Sequence, residues 1–238
     1  YSLKPKTKPS LFQELKLDNG MISQYGDIRD NDNLTKSMND FKPEIVIHMA
    51  AQPLVRYSYK NPIETYSTNV MGTLNVLEAS KLCKTVKVIL VVTTDKCYEN
   101  KNLNRGYKET DILGGHDPYS SSKACCELLV DSYRKSFFDS EKSNVCLATA
   151  RAGNVIGGGD WSEDRLIPDI LKSFENSKSL IIRNPLSIRP WQHVLEPLSG
   201  YLILIEELYK NGNDFSQAWN FGPYDNDCKS VKWVINKI

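Results

Sequence analysis

The chain has 238 residues, 40% of them apolar and 25% charged, with a formal net charge of +1, a profile of an ordinary globular protein with room for one large core or two small ones. That near-neutral balance gives no electrostatic reason to expect nucleic acid or an anionic membrane surface as a partner, and no apolar run approaches the roughly 20 residues of a membrane span. The six cysteines include no Cys-x-x-Cys pair and the three histidines (His48, His116, His193) have no metal-pair spacing, so reduced thiols in a cytoplasmic protein without a structural metal are expected.

In chain order, the opening "YSLKPKTKPSLF" has neither an initiator Met nor the charged-then-apolar layout of a signal peptide. "PEIVIHMAA" is the first of several short β-branched runs that read as buried strands. "NPIETYSTNVMGTLNVLEASKLCK" follows as a helix, with Val70, Leu74, Leu77 and Leu82 near helical spacing. A second strand, "TVKVILVVTTD", stops abruptly at Thr94-Asp95-Lys96, a hydroxyl, an acid and a base in a row. "HDPYSSSKACCELLVDSYRKSFF" then offers Asp117 as N-cap and Pro118 as first helical residue.

"NVCLATARAGNVIGGG" is the third strand run, and "AWNFGP" near the end is a fourth. Between these two, "DRLIPDILKSF" and "EPLSGYLILIEELYKNG" read as helices separated by "SLIIRNPLSIRPWQHV". Strand and helix alternating at this rhythm predict a doubly wound parallel α/β fold. Residues 1–160 then form a nucleotide-binding domain. Residues 161–238 are mainly a smaller lobe over the carboxyl edge of the strands, with a return strand near 218–222.

Tyr119 and Lys123 stand four residues apart on the predicted helix, so both side chains share one face. An ammonium beside a phenol favours the phenolate, which suits a base that takes a hydroxyl proton while hydride leaves the same carbon. With 12 tyrosines in the chain, a Tyr-x-x-x-Lys match by itself is weak. Asp95-Lys96 alone would read as a solvated turn. Its place at the end of a core strand, just before the Tyr-Lys helix, argues for chemistry instead.

Tyr119, Lys123, the hydroxyl of Thr94 and Asn69 on the preceding helix together resemble the tetrad of the extended short-chain dehydrogenase/reductases. "GDIRD", "HMAAQP", "STNVMGTLNVLEA", "DPYSSSKACCELL" and "RAGNVIGGGDW" occur in that family's order and spacing. The resemblance implies a Rossmann-type fold and bound NAD, with Tyr119 as base and Lys123 tuning it and holding the nicotinamide ribose. It also implies that Asp27 and Ile28 hold adenine, that Ala50 and Ala51 let the backbone approach the cofactor, and that Asn69 lies on the cofactor side. Asn154, Arg165 and Arg189 resemble the residues that grip a nucleotide diphosphate, where a planar fork suits two oxygens. His48 is read as a core histidine without a role.

Within the family, "TTDKCY", "DRLIPDI" and "IRPWQHVLEPLSGYL" look like the branch that dehydrates CDP-glucose to a 4-dehydro-6-deoxy sugar nucleotide, with Thr94 on the C4 oxygen. Related dehydratases acting on dTDP-glucose and GDP-mannose carry glutamate where Lys96 stands. Asp95 is then the acid for the departing C6 hydroxyl. Lys96 is either the base at C5, if its pKa is lowered, or a charge stabilising the enolate. A 4-epimerase on the same scaffold and a non-catalytic binding protein are the rival readings. The family's glycine-rich phosphate loop is absent from this sequence, so a fragment that binds NAD poorly is expected, and a homodimer or homotetramer paired through helices near 63–83 and 118–137.

Overall fold

The computed structural model describes residues 1–238 apart from 102, 104 and 139–142. Ser2 pairs with Tyr25 in an isolated parallel bridge, spanned by the short helix α1 (Leu11–Glu14). Helix α2 (Asn31–Phe41) begins at Asp30, whose carboxylate accepts the Asn33 amide, and ends at Lys42 in the left-handed conformation. Strand β1 (Ile45–His48) leads into α3 (Val55–Lys60) and α4 (Pro62–Tyr66), then through a π-helical turn (Ser67–Met71) into α5 (Gly72–Leu82). Strand β2 (Val88–Val92) ends in a 3-10 turn (Asp95–Cys97).

Helix α6 (Pro118–Ser136) starts as the sequence predicts: the Asp117 carboxylate accepts the Ser120 amide at 2.9 Å, and Pro118 is its first residue. Strand β3 (Cys146–Ala152), strand β4 (Asn154–Ile156), helix α7 (Leu166–Glu175), strand β5 (Ile188–His193) and helix α8 (Leu195–Asn211) come next. The chain closes with β6 (Ala218–Phe221), β7 (Cys228–Ser230) and α9 (Val231–Ile235).

The main sheet is parallel throughout, in the order β1-β2-β3-β6. Alternate residues of β2 face opposite ways, as a pleated strand requires. Ile89 and Val91 pack with Leu77 and Val130 on the side of α5 and α6, while Val88 and Leu90 pack with Leu204 and Leu208 of α8. Each such side chain, fully withdrawn from water, contributes about 1.5–3 kcal/mol. Helices on both faces of a parallel sheet make this the doubly wound α/β architecture predicted, and β6 is the expected return strand. β1 is the edge, with Ile45 and Ile47 each 41% exposed.

Two expectations need correction. The run "NVCLATARAGNVIGGG" is not one strand: it breaks at Gly153, and β4 leaves the main sheet to join a second, with β5 parallel and β7 antiparallel to β5. Strand β5 therefore lies inside the stretch read as a mere separator. The helix over 62–82 also buries only part of the face its apolar spacing suggested. Leu77 is interior and Leu74 packs half-buried against the core, but Leu82 is 58% exposed, and the buried positions of α5 are Gly72, Thr73, Val76, Leu77, Ala79 and Ser80. The π turn at Ser67–Met71 inserts an extra residue and rotates the helix beyond it. Gly72 is needed at that seam, because a Cβ there would collide with Ile28 Cδ1.

Candidate functional site

The carboxyl ends of β2 and β3 and the first two turns of α6 meet at one place. Thr94 leaves β2 extended (φ −162°, ψ 155°) and caps the 3-10 turn, its hydroxyl accepting the Lys96 amide. Asp95 Oδ1 receives the Thr94 hydroxyl at 3.3 Å and the Lys96 ammonium at 3.4 Å. The Asp95 and Lys96 side chains are about one-third exposed, at 31% and 37%, so the pair opens toward solvent rather than into the core. Behind Asp95 stands Gly153: a Cβ there would lie 3.1 Å from Asp95 Oδ2 and 2.7 Å from Pro190 Cγ. The strand break at Gly153 and the wall made by β5 thus set the limit of the space the carboxylate occupies.

Tyr119 is buried on α6 and faces Thr94. Burial pushes its phenol up to about 12, while hydrogen bonding with Thr94 and the charge of Arg165 pull the other way. The expected lowering by Lys123 is not the dominant effect here. Lys123, itself buried, donates its ammonium to the Val92 carbonyl at 3.1 Å. Desolvation holds its own pKa below the usual lysine value. Four-residue spacing does put both groups on one face, but burial is the largest influence on the phenol, and the charge that lowers it is that of Arg165 rather than Lys123.

Asn69 is interior, and all its polar atoms are engaged. Its Oδ1 accepts the Gln52 amide at 2.8 Å, and its Nδ2 donates to the Gln52 carbonyl at 3.1 Å and to Ser122 Oγ at 2.9 Å. The side chain therefore ties the loop after Ala50 and Ala51 to α6. His48 is a core histidine, as read from sequence. Its Nε2 meets Thr73 Oγ1 at 2.9 Å, and burial with the nearby Lys123 charge depresses its pKa to about 3.

The residues expected at the two ends of a bound nucleotide lie at the rim. Asp27 is held by Arg29, whose Nε meets both carboxylate oxygens at 3.0 Å and whose Nη2 meets Oδ2 at 2.6 Å. That guanidinium keeps the Asp27 carboxyl below the ordinary range. The Ile28 side chain differs from expectation: it is buried in the core against Gly72, not presented to a ligand. Arg165 and Arg189 are exposed, Arg165 at the start of α7 and Arg189 on β5, where Nη1 bonds the Ile188 carbonyl at 2.8 Å. Asn154 on β4 keeps a buried amide oxygen without a partner.

Sequence reading missed Glu127, one further turn along the face that carries Tyr119 and Lys123, and its buried partner Arg151. The spacing 119, 123, 127 was the signal that could have found Glu127. Nothing in the local sequence marks Arg151, which meets Glu127 from β3 on the sheet face that α6 covers. Among the described residues no cluster of His, Cys, Asp and Glu could hold a metal ion, and no helix is long and apolar enough to cross a membrane.

Residues 7–213 match the family described as GDP-mannose 4,6 dehydratase. A CDP-glucose 4,6-dehydratase of Salmonella typhimurium is 56% identical over 241 residues, covering 100% of this chain and 67% of that protein. A dTDP-D-glucose 4,6-dehydratase of Dictyostelium discoideum is 31% identical over 206 residues, covering 80% of this chain and 46% of its own length. In fold, the chain is similar to a dTDP-glucose 4,6-dehydratase of Streptomyces venezuelae solved with NAD and TYD bound (TM-score 0.75, 21% identity, 90% of this chain, 61% of that one). It is also similar to a UDP-glucose 4-epimerase of Thermotoga maritima solved with UDP-glucose (TM-score 0.77, 19% identity, 92% and 67%). The chain thus spans about half to two-thirds of the length of these relatives.

Proposed function

Because the chain belongs to the GDP-mannose 4,6 dehydratase family, we propose that it carries the catalytic centre of an NAD-dependent lyase that converts CDP-D-glucose to CDP-4-dehydro-6-deoxy-D-glucose and water. The observation that carries this reading is the convergence of Thr94, Tyr119 and Lys123 with Asp95 and Lys96 at one strand end. An epimerase needs the first three groups but has no use for an acid and an ammonium beside them.

The residues present fit the nicotinamide end of NAD. Lys123 is a buried ammonium anchored by a single backbone carbonyl, which leaves N–H donors for ribose hydroxyls, and Tyr119 stands one turn away. At the adenine end the fit rests on the Asp27 carboxylate and the backbone beside Ala50 and Ala51, since Ile28 is turned into the core. NAD, when bound, supplies a reversible hydride acceptor for the sugar.

The chain's own groups handle the protons. Thr94 holds the C4 oxygen, and Tyr119 takes the C4 hydroxyl proton, which requires added positive charge near a phenol otherwise held near 12. Once C4 is a ketone, the proton at C5 is acidic. Lys96 removes it or stabilises the enolate, and Asp95 gives a proton to the departing C6 hydroxyl, so one water leaves. The resulting C5–C6 double bond then takes back at C6 the hydride removed from C4, with a proton returning to C5, which leaves no net change in the cofactor. Asn154, Arg165 and Arg189 take the diphosphate.

The relatives' nucleotide-sugar chemistry supports a cytoplasmic location. A groove of Pro62, Ile63, Tyr66, Val70 and Met71 beside Cys125 of α6 supports pairing of two copies through α4, α5 and α6. The direct test is incubation of the purified protein with CDP-glucose and NAD, followed by mass spectrometry of the nucleotide sugar. Loss of one water supports the dehydratase; a product that keeps its C6 hydroxyl supports the epimerase.

A further inference from the structure

The turn that carries Asp95 and Lys96 is held on both flanks by one buried ion pair. On the near flank, Glu127 of α6 accepts the Thr93 hydroxyl, and it also accepts Thr149 Oγ1 at 2.8 Å and Arg151 Nη2 at 2.7 Å. On the far flank, Arg151 Nη1 donates to the Tyr98 hydroxyl at 2.7 Å and to the Glu109 carbonyl at 3.2 Å. The Tyr98 hydroxyl in turn donates to Asn220 Oδ1 at 2.7 Å, and its ring stacks on Tyr107 with centroids 5.0 Å apart. The side chains of Arg151 and Glu127 are 5% and 2% exposed.

An ion pair this deep is a poor source of net stability, because desolvating both charges offsets most of their attraction. Its geometry suggests a different use. Glu127 follows Tyr119 and Lys123 at intervals of four, so one face of α6 presents all three. Backbone bonds tie the segment at its ends, Thr93 N to Ala150 O at 2.8 Å and Gly114 N to Cys97 O at 2.8 Å, but the 3-10 turn between them is closed by a long Cys97 N to Thr94 O bond of 3.3 Å.

We propose that Glu127, Arg151 and Tyr98 form a positioning clamp that registers the Asp95–Lys96 turn against Tyr119 and Lys123, so that elimination occurs on a hexose that has not moved since its oxidation. The proposal rests on the dehydratase reading and deepens it. None of the three residues touches the sugar; they act through Thr93 and the backbone on either side of Asp95 and Lys96. Loosening the far flank at Tyr98 would spare oxidation, which uses Tyr119 and Lys123 on α6 and Thr94 next to the Thr93 anchor, and would impair elimination, where small misplacements cost large factors.

Tyr98→Phe in the intact protein removes one hydroxyl and keeps the ring on Tyr107. Single-turnover measurements should find C4 oxidation, read as NADH absorbance, within about three-fold of the unaltered protein, and C5 proton exchange slowed by roughly ten-fold or more. Cys97, inside the turn and without exposure, reports on the clamp independently of activity. Its alkylation by iodoacetamide, followed by peptide mass spectrometry, should accelerate by about ten-fold as the turn opens locally. Equal losses in oxidation and elimination would overturn the proposal, as would elimination and Cys97 labelling both matching the unaltered protein. If the unaltered protein eliminates no water, the dehydratase reading fails and the labelling alone judges the clamp: faster alkylation in Tyr98→Phe sustains it, and an unchanged rate ends it.

Discussion

The Lys123 ammonium donates to the Val92 carbonyl at 3.1 Å, and Val92 is the last residue of the strand that delivers Thr94. The buried cation therefore joins α6 to β2 just where the tyrosine and the threonine must face each other. Lys123→Met keeps the length of the side chain and removes a buried charge that desolvation disfavours. Melting temperature should hold or rise, while NADH formation on adding CDP-glucose falls by about 100-fold or more. A variant that melts normally and still reduces NAD at full rate would remove Lys123 from the oxidation step.

Tyr119 and Lys96 should separate the two halves of the reaction. Tyr119→Phe loses the proton acceptor for C4, so no NADH should form in a single turnover. Lys96→Ala should still form NADH and then stall, accumulating a 4-keto sugar that keeps its C6 hydroxyl, with turnover down by roughly 100-fold or more. Ordinary product formation by Lys96→Ala would exclude the residue from elimination.

Gly153 sets the space behind the acid. Its replacement by alanine puts a methyl group 3.1 Å from Asp95 Oδ2 and 2.7 Å from Pro190 Cγ, a contact that something must yield to. Crowding of this kind costs about 1–3 kcal/mol, so Gly153→Ala should lower the unfolding free energy by that order in urea titrations. Elimination should suffer more than oxidation. Loss of oxidation first would mean that β3, not Asp95, absorbs the strain.

His48 gives the fold an acid-side pH dependence. Its pKa is about 3 in the folded protein against an ordinary 6.5, so below pH 6.5 the unfolded chain binds a proton that the folded one does not. Stability should therefore fall as pH drops from about 6.5 toward 3, with a slope from this group of up to about 1.4 kcal/mol per pH unit, and should not depend on it above that window. His48→Gln should flatten that part of a plot of melting temperature against pH; an unchanged curve would show that other groups govern it.

Much of this was legible in the chain because its physics is local. Strands β1 and β2 announce themselves as β-branched runs and β3 and β6 as short stretches of small, apolar and aromatic residues, and Asp117-Pro118 fixes the start of α6 through a cap and a constrained φ. Tyr119, Lys123 and the Thr94–Lys96 triplet were visible for the same reason, being near in sequence. The hidden features depend on distance along the chain. Arg151 of β3 finds Glu127 of α6 only once the helix packs on the sheet, and Gly153 looks like one more loop glycine until β5 is packed behind it. The high pKa of Tyr119 also comes from burial, which a spacing of four residues does not encode. Likewise, the π turn at Ser67–Met71 shifted the buried face of α5 without any breaker residue to betray it.

Asn69 points inward from that widened turn and grips the Gln52 peptide by both its N–H and its C=O while reaching Ser122. The segment behind β1 and the helix with the phenol are thereby welded into a single block. Past the strand break at Gly153 the chain enters the small sheet of β4, β5 and β7, whose Pro190 closes the space behind Asp95 and which carries Arg189 beside it.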